Sequence, residues 1–151
     1  MKKHLLFTLV ILTLLSSYTY ALSAPDFTLP SLSGQSVSLH DFLGKKAIVI
    51  NFWASWCTSC EEEMPQLLKL KESAGSDVVF LGINAGDSQR AAQRFVDKTG
   101  YNYEILLDST KNISKSYEFK GIPATIVINR QGDIVFSGSR PPQDLSTLSQ
   151  P

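Results

Sequence analysis

Ile50-Asn51-Phe52-Trp53-Ala54-Ser55-Trp56-Cys57-Thr58-Ser59-Cys60 is the stretch from which the rest of the chain can be read. It ends the apolar run that starts at Ala47, and a continuous run of that length predicts a strand buried on both faces, as in the centre of a parallel sheet. From Cys57 to about Ser73 the spacing turns helical, with Cys60, Met64, Leu67 and Leu68 on one side; Pro65 lies inside this helix and is expected to kink it. The cysteines therefore stand where a buried strand gives way to a helix. There Cys57 meets unpaired backbone N–H groups and the positive end of the helix dipole, which favour thiolate over thiol. Cys60, three residues on, sits on the next turn and within bridging distance. An outer thiolate can attack a foreign disulfide, and an inner thiol can then displace the partner and close the ring.

Working outward, Ala24 to Leu29 and Ser36 to Leu39 flank the turn Ser33-Gly34-Gln35 and predict an N-terminal hairpin. Val78 to Asn84 is a second buried strand. A helix follows to about Thr99, with Ala91, Ala92, Phe95 and Val96 on one face and Gly100 as its stop. Tyr103 to Leu107 is a short strand and Asn112 to Tyr117 a helical stretch. Ala124 to Asn129 and Ile134 to Ser137, around Arg130-Gln131-Gly132-Asp133, form a hairpin. Strands alternating with helices and ending in a hairpin make one α/β domain with a mixed sheet. Past Pro141 there is room for two helical turns at most.

The 151 residues are 43% hydrophobic and 19% charged, enough for one core. With 14 basic and 14 acidic side chains there is no basic field to attract nucleic acid. Met1 to His4 is a short positive start, Leu5 to Leu15 is strongly apolar, and residues 16–23 turn small and polar. That is the pattern of a secretory signal over residues 1–23, cut after Ala21 or Ser23, with residues 24–151 as the exported domain. An uncleaved membrane anchor is the alternative, although the apolar run is short for a span of about 20 residues. Export makes the domain net negative by removing Lys2 and Lys3, and leaves His40 as its one histidine.

Other uses of the cysteine pair compete with exchange chemistry. A structural disulfide closing so small a ring adds only roughly 2 kcal/mol by chain entropy. Two Cys and one His cannot complete a four-ligand zinc shell of Cys and His. A peroxidatic cysteine needs no partner so near, and Trp53 and Trp56 crowd a small peroxide site. A copper-holding module on the two thiolates is the rival binding function, against which the single histidine and the isolated Met64 weigh.

The segment from Ile50 to Cys60, with Pro65 beyond it, is similar to the active-site segment of thioredoxins. Ala24-Pro25-Asp26-Phe27-Thr28-Leu29 and Leu39-His40-Asp41-Phe42-Leu43-Gly44-Lys45 resemble the extracytoplasmic TlpA/ResA-type branch, and Gly121-Ile122-Pro123-Ala124-Thr125 resembles the cis-proline loop. The likeness runs from about Pro25 to Phe136. It implies a thioredoxin fold: a central mixed sheet flanked by helices, an N-terminal β-hairpin, a strand–helix insert before the cis-Pro loop, and a shortened C-terminal helix. It further implies a thiol–disulfide oxidoreductase with Cys57 attacking and Cys60 resolving, Trp56 covering the site, and Ile122 and Pro123 shaping the substrate groove. No cofactor is implied. The implied substrates are disulfides or dithiols of exported proteins, apocytochrome c among them, with a membrane thiol carrier as electron donor and the periplasm as the place of work. An oxidase or isomerase on the same fold stays open, since Thr58-Ser59 alone does not set the potential.

Two departures from plain thioredoxin matter. Asn51 stands where thioredoxins carry a buried Asp, and an amide cannot titrate, so Cys60 needs another base. The resemblance puts an acid just after the second buried strand, at Asp87, which is equally well placed to cap the next helix. Glu63 is the second candidate for the proton transfer, and Glu61 and Glu62 are the other nearby acids. Glu61 and Glu62 suit the helix dipole, and the sharper alternative is that they raise the Cys57 pKa and favour a basic partner.

Overall fold

The computed structural model describes residues 22–149. The expected signal lies outside the described residues except for its last two positions. Those two are tied to the domain: Leu22 O accepts from Ile134 N at 2.8 Å, and Ser23 bridges Asp133. Among the described residues, no helix is long and apolar enough to cross a membrane.

The sheet forms around the run that the sequence marks as buried. β3 (Ala47–Trp53) is covered along its whole length. It pairs in parallel with β4 (Val78–Asn84) and antiparallel with β6 (Ala124–Ile128). β5 (Glu104–Leu107) extends the sheet beyond β4, and β7 (Ile134–Gly138) extends it beyond β6, giving the order β5-β4-β3-β6-β7. β1 (Thr28–Pro30) and β2 (Ser36–Ser38) form the N-terminal hairpin. It docks on the β5 edge, where Ser31 bridges Leu106 and Leu32 N donates to Ile105 O at 2.9 Å.

Side chains alternate across β3, so its two faces enter different cores. Ile48, Ile50 and Phe52 pack with Phe27, Leu81, Ile83, Tyr117 and Ile126 on the hairpin side. Trp53 packs on the opposite face with both cysteines, Met64, Leu67 and Phe95; Val49 lies there too, against Leu70. Asn51 shares that second face by the same alternation.

α1 (Thr58–Ser73) and α2 (Gln89–Thr99) cover the cysteine face, and α3 (Asn112–Ser116) follows β5. Pro65 sits inside α1, which runs without interruption around it. Ser88 caps α2 by accepting from Ala91 N, and Gly100 ends it at φ +74°, a left-handed conformation that glycine adopts without a Cβ clash. β4, α2, β5 and α3 fill the chain between α1 and the loop at Pro123, accommodating the expected strand–helix insert. Among the described residues after β7 there is a short 3-10 turn, Ser146–Ser149. Leu145 and Leu148 pack against the cluster of Val49, Leu70, Phe80 and Val127, so part of the sheet face is closed by two leucines instead of a full helix.

Candidate active site

Cys57 ends the loop after β3 and is the N-cap of α1. Its backbone is extended (φ −93°, ψ 96°), and its sulfur accepts from Cys60 N at 3.2 Å. The side chain thus takes the place that a serine or aspartate oxygen takes at an ordinary helix start. The two cysteines are joined as a disulfide with Cα atoms 5.3 Å apart. Cys60 is fully buried, and Cys57 keeps a small exposed surface. Ser59 Oγ lies 3.8 Å from Cys57 Sγ. Trp56, just before the pair, is 66% exposed, a large apolar surface in water beside the outer sulfur.

The loop bearing Trp56 is anchored from β4. Asp87 accepts from Ser55 N at 2.6 Å, from Ser55 Oγ at 3.0 Å and from Asn84 Nδ2 at 2.7 Å. The cap of α2 is therefore Ser88, and Asp87 joins the end of β4 to the chain two residues ahead of Cys57.

Glu63 has the more unusual surroundings. It lies on the buried stripe of α1 with Cys60, Met64, Leu67 and Leu70, at 3% exposure. Asn51 Nδ2 donates to its Oε1 at 2.7 Å, while Oε2 has no protein partner. Burial pushes its pKa up from 4.5 to about 7, against the smaller opposing effects of the Asn51 bond and the positive charge of Arg140. Cys60 and Glu63, three residues apart, occupy neighbouring turns of one helix face. Of the other two acids, Glu62 is exposed, and Glu61 pairs with Lys98 of α2 at 2.9 Å.

Ile122-Pro123 is a cis peptide that leads directly into β6. The pairing of Ala124 with Phe52 brings this loop beside the end of β3, and Ile122 packs against the cluster that contains both cysteines. A cleft of about 570 Å³ runs along Phe119 to Ala124 and Ser137 to Ser139.

Sequence reading brought the cysteines, Trp56, Ile122 and Pro123 to this end of the sheet. It did not find the pairing of Asn51 with Glu63, or Tyr101, whose hydroxyl approaches the same amide at 3.4 Å. A signal was present for Glu63: it stands three before Gln66 but also four before Leu67 and seven before Leu70, on the apolar side of the helix.

A mixed sheet whose central strand delivers a Cys-x-x-Cys pair to a helix start, with a cis-proline loop against the same cluster, defines the thioredoxin fold with a dithiol–disulfide centre. The chain belongs to the AhpC/TSA family, whose model matches residues 21–137. It is 37% identical over 113 residues to the thiol-disulfide oxidoreductase ResA of Halalkalibacterium halodurans, an alignment covering 74% of this chain and 64% of that protein. The chain thus spans under two thirds of that relative's length. Among solved structures it resembles a putative protein disulfide isomerase from Bacteroides thetaiotaomicron (TM-score 0.71, 32% identity, covering 78% of this chain and 77% of that one). It also resembles a secreted Mycobacterium tuberculosis disulfide oxidoreductase homologous to E. coli DsbE (TM-score 0.67, 29% identity, 80% and 88% covered).

Proposed function

We propose that this protein is an exported thiol–disulfide oxidoreductase that reduces disulfides in other exported proteins. The observation that carries this reading is the sulfur of Cys57 acting as N-cap of α1, with Cys60 buried one turn deeper. In the reduced form, the Cys60 N–H and the positive end of the helix stabilise a Cys57 thiolate. The thiolate attacks one sulfur of a substrate disulfide, and the other sulfur leaves as a thiolate that takes a proton from solvent. Cys57 is then held in a mixed disulfide. Cys60 gives its proton to the Glu63 carboxylate and attacks Cys57, which releases the second substrate sulfur. Two electrons have passed from the pair to the substrate, and the enzyme carries the Cys57–Cys60 disulfide. A membrane thiol carrier returns it to the dithiol.

A carboxyl group with a pKa near 7 is suited to take a thiol proton and return it near neutral pH. In this scheme Asp87 holds the loop through Ser55, and its oxygens are occupied by that task. Trp56 offers an apolar platform to the substrate, and the backbone of Ile122 beside Pro123 pairs with an extended segment of it. Apocytochrome c is the substrate suggested by the resemblance to the TlpA/ResA type. Export rests on the amino-terminal pattern and is supported by the secreted structural relative. Cleavage after Ala21 would keep Leu22 and Ser23, which contact Ile134 at the start of β7 and Asp133 just before it.

The test is Cys60→Ser expressed in the native host. Cys57 should then hold its substrates as mixed disulfides that mass spectrometry identifies, and Cys57→Ser should hold none and show no turnover. Equal recovery from both variants would count against the mechanism.

A further inference from the structure

The buried face between α1 and the sheet holds a second polar group directed at the amide of Asn51. Tyr101 lies in the segment between α2 and β5 and is 8% exposed. Its ring stacks on Trp53 with centroids 5.1 Å apart and meets Tyr103 edge-on at 5.1 Å. Its hydroxyl stands 3.4 Å from Asn51 Oδ1, while Nδ2 of the same amide donates to Glu63 at 2.7 Å. The amide thus links two titratable groups, one at each end.

We propose that Tyr101 is a positioning residue for the exchange reaction: its hydroxyl donates to Asn51 Oδ1, holds the amide with Nδ2 turned on Glu63, and so favours the carboxylate that receives the Cys60 proton. This rests on the reading of Glu63 as proton acceptor. The two ends of an amide are nearly alike in size and opposite in hydrogen-bonding character. Turned over, the amide would set Oδ1 against a carboxylate oxygen, which is repulsive unless Glu63 is protonated. A donor on the Oδ1 side opposes that arrangement, and a chain of bonds running from Tyr101 through Asn51 to Glu63 polarises each member toward the negative end. Burial, reinforced by the charge of Glu63, pushes the Tyr101 pKa above its ordinary value, so the phenol keeps its proton and stays a donor. The groups facing Glu63 are Asn51 from β3, Tyr101 and Tyr103 from the segment before β5, Arg140 from the segment after β7, and Cys60 on its own helix. Arg140 is exposed and acts in the same direction as the Asn51 bond.

The experiment follows the carboxyl carbon of Glu63 by NMR against pH in the oxidised full chain, without any substrate. Tyr101→Phe keeps the ring and its stacking and removes only the hydroxyl. The midpoint for Glu63 should move up by about half a pH unit or more, as expected for the loss of one buried hydrogen bond. In an Asn51→Ala background the same replacement should move it less than half as far. Replacing Tyr101 by 3-fluorotyrosine, a stronger donor of nearly the same shape, should move the midpoint down. An unmoved or lowered midpoint in Tyr101→Phe overturns the proposal, and so does an equal movement in the Asn51→Ala background. Failure of the broader functional reading looks different: Glu63 titrates as described, but Cys57 captures no substrate.

Discussion

Asn51 and Glu63 meet inside the molecule, amide nitrogen to carboxylate oxygen at 2.7 Å, across the interface between the central strand and the cysteine helix. The strand position at which the resemblance to thioredoxins would put an acid is here an amide, and a buried acid faces it from the helix.

Glu63 makes the fold sensitive to pH in a defined direction. Its pKa is raised on folding from 4.5 to about 7, so the folded chain binds more protons than the unfolded chain between these values. The contribution is fully present below pH 4.5 and is lost as pH rises through about 7. Glu63→Gln should therefore match the parent near pH 4 and be the more stable protein at pH 8, by on the order of 1–2 kcal/mol after solvent screening. Denaturant titrations of both proteins at the two pH values measure this, and a constant difference would refute it.

The same replacement should slow resolution while sparing attack. With Glu63→Gln, alkylation of Cys57 in the reduced protein should change little. Release of a preformed mixed disulfide should slow by about tenfold to a hundredfold, and its pH dependence near 7 should flatten. Stopped-flow measurement of thiol release separates the two steps.

Asp87→Ala removes the acceptor for Ser55 N and Ser55 Oγ. Leaving such groups unpaired costs about 1–3 kcal/mol. Amide exchange should quicken at Ser55 and Trp56 before it quickens in β3, and hydrogen-exchange mass spectrometry resolves the order.

Gly82 faces the aromatic cluster beneath the site. A Cβ there would lie 2.6 Å from Ile105 Cδ1, 3.1 Å from Trp53 Nε1 and 3.1 Å from Tyr103 Cε2. Gly82→Ala should destabilise by about 1–3 kcal/mol through overpacking, read from the shift in denaturation midpoint.

Glu61 and Glu62 differ in their surroundings, and so should their effects on Cys57. Glu61 is already neutralised by Lys98, whereas Glu62 is exposed. Reversing charge in Glu61→Lys/Glu62→Lys should lower the midpoint for Cys57 alkylation by a few tenths of a pH unit, about the size of surface charge effects near a helix start. An unchanged midpoint would leave helix stabilisation as their role.

Much of the site was legible because its signals are local. Cys57 and Cys60 lie three residues apart at one helix start, and the buried strand before them is a single apolar run. The cis bond at Pro123 was implied only by the family resemblance of Gly121 to Thr125, since an X–Pro pair does not by itself show its isomer. Asp87 shows where local reading ran short: its position suits a helix cap, but Ser88 takes that place and Asp87 reaches back across 32 residues to Ser55. Glu63 lay within a run of three acids, and only its burial against β3 separates it from its neighbours.

Strand and helix periodicity, turn glycines and the cysteine spacing are set by interactions within a few residues, so the chain order alone determined the α/β architecture and the place of the thiol pair. The ionisation of Glu63, the anchoring of the Trp56 loop and the approach of Tyr101 to Asn51 depend on which faces meet when α1, β4 and the segment before β5 close over β3. Desolvation and hydrogen bonding act through space between residues far apart in the chain, and so those properties were decided only by the tertiary structure.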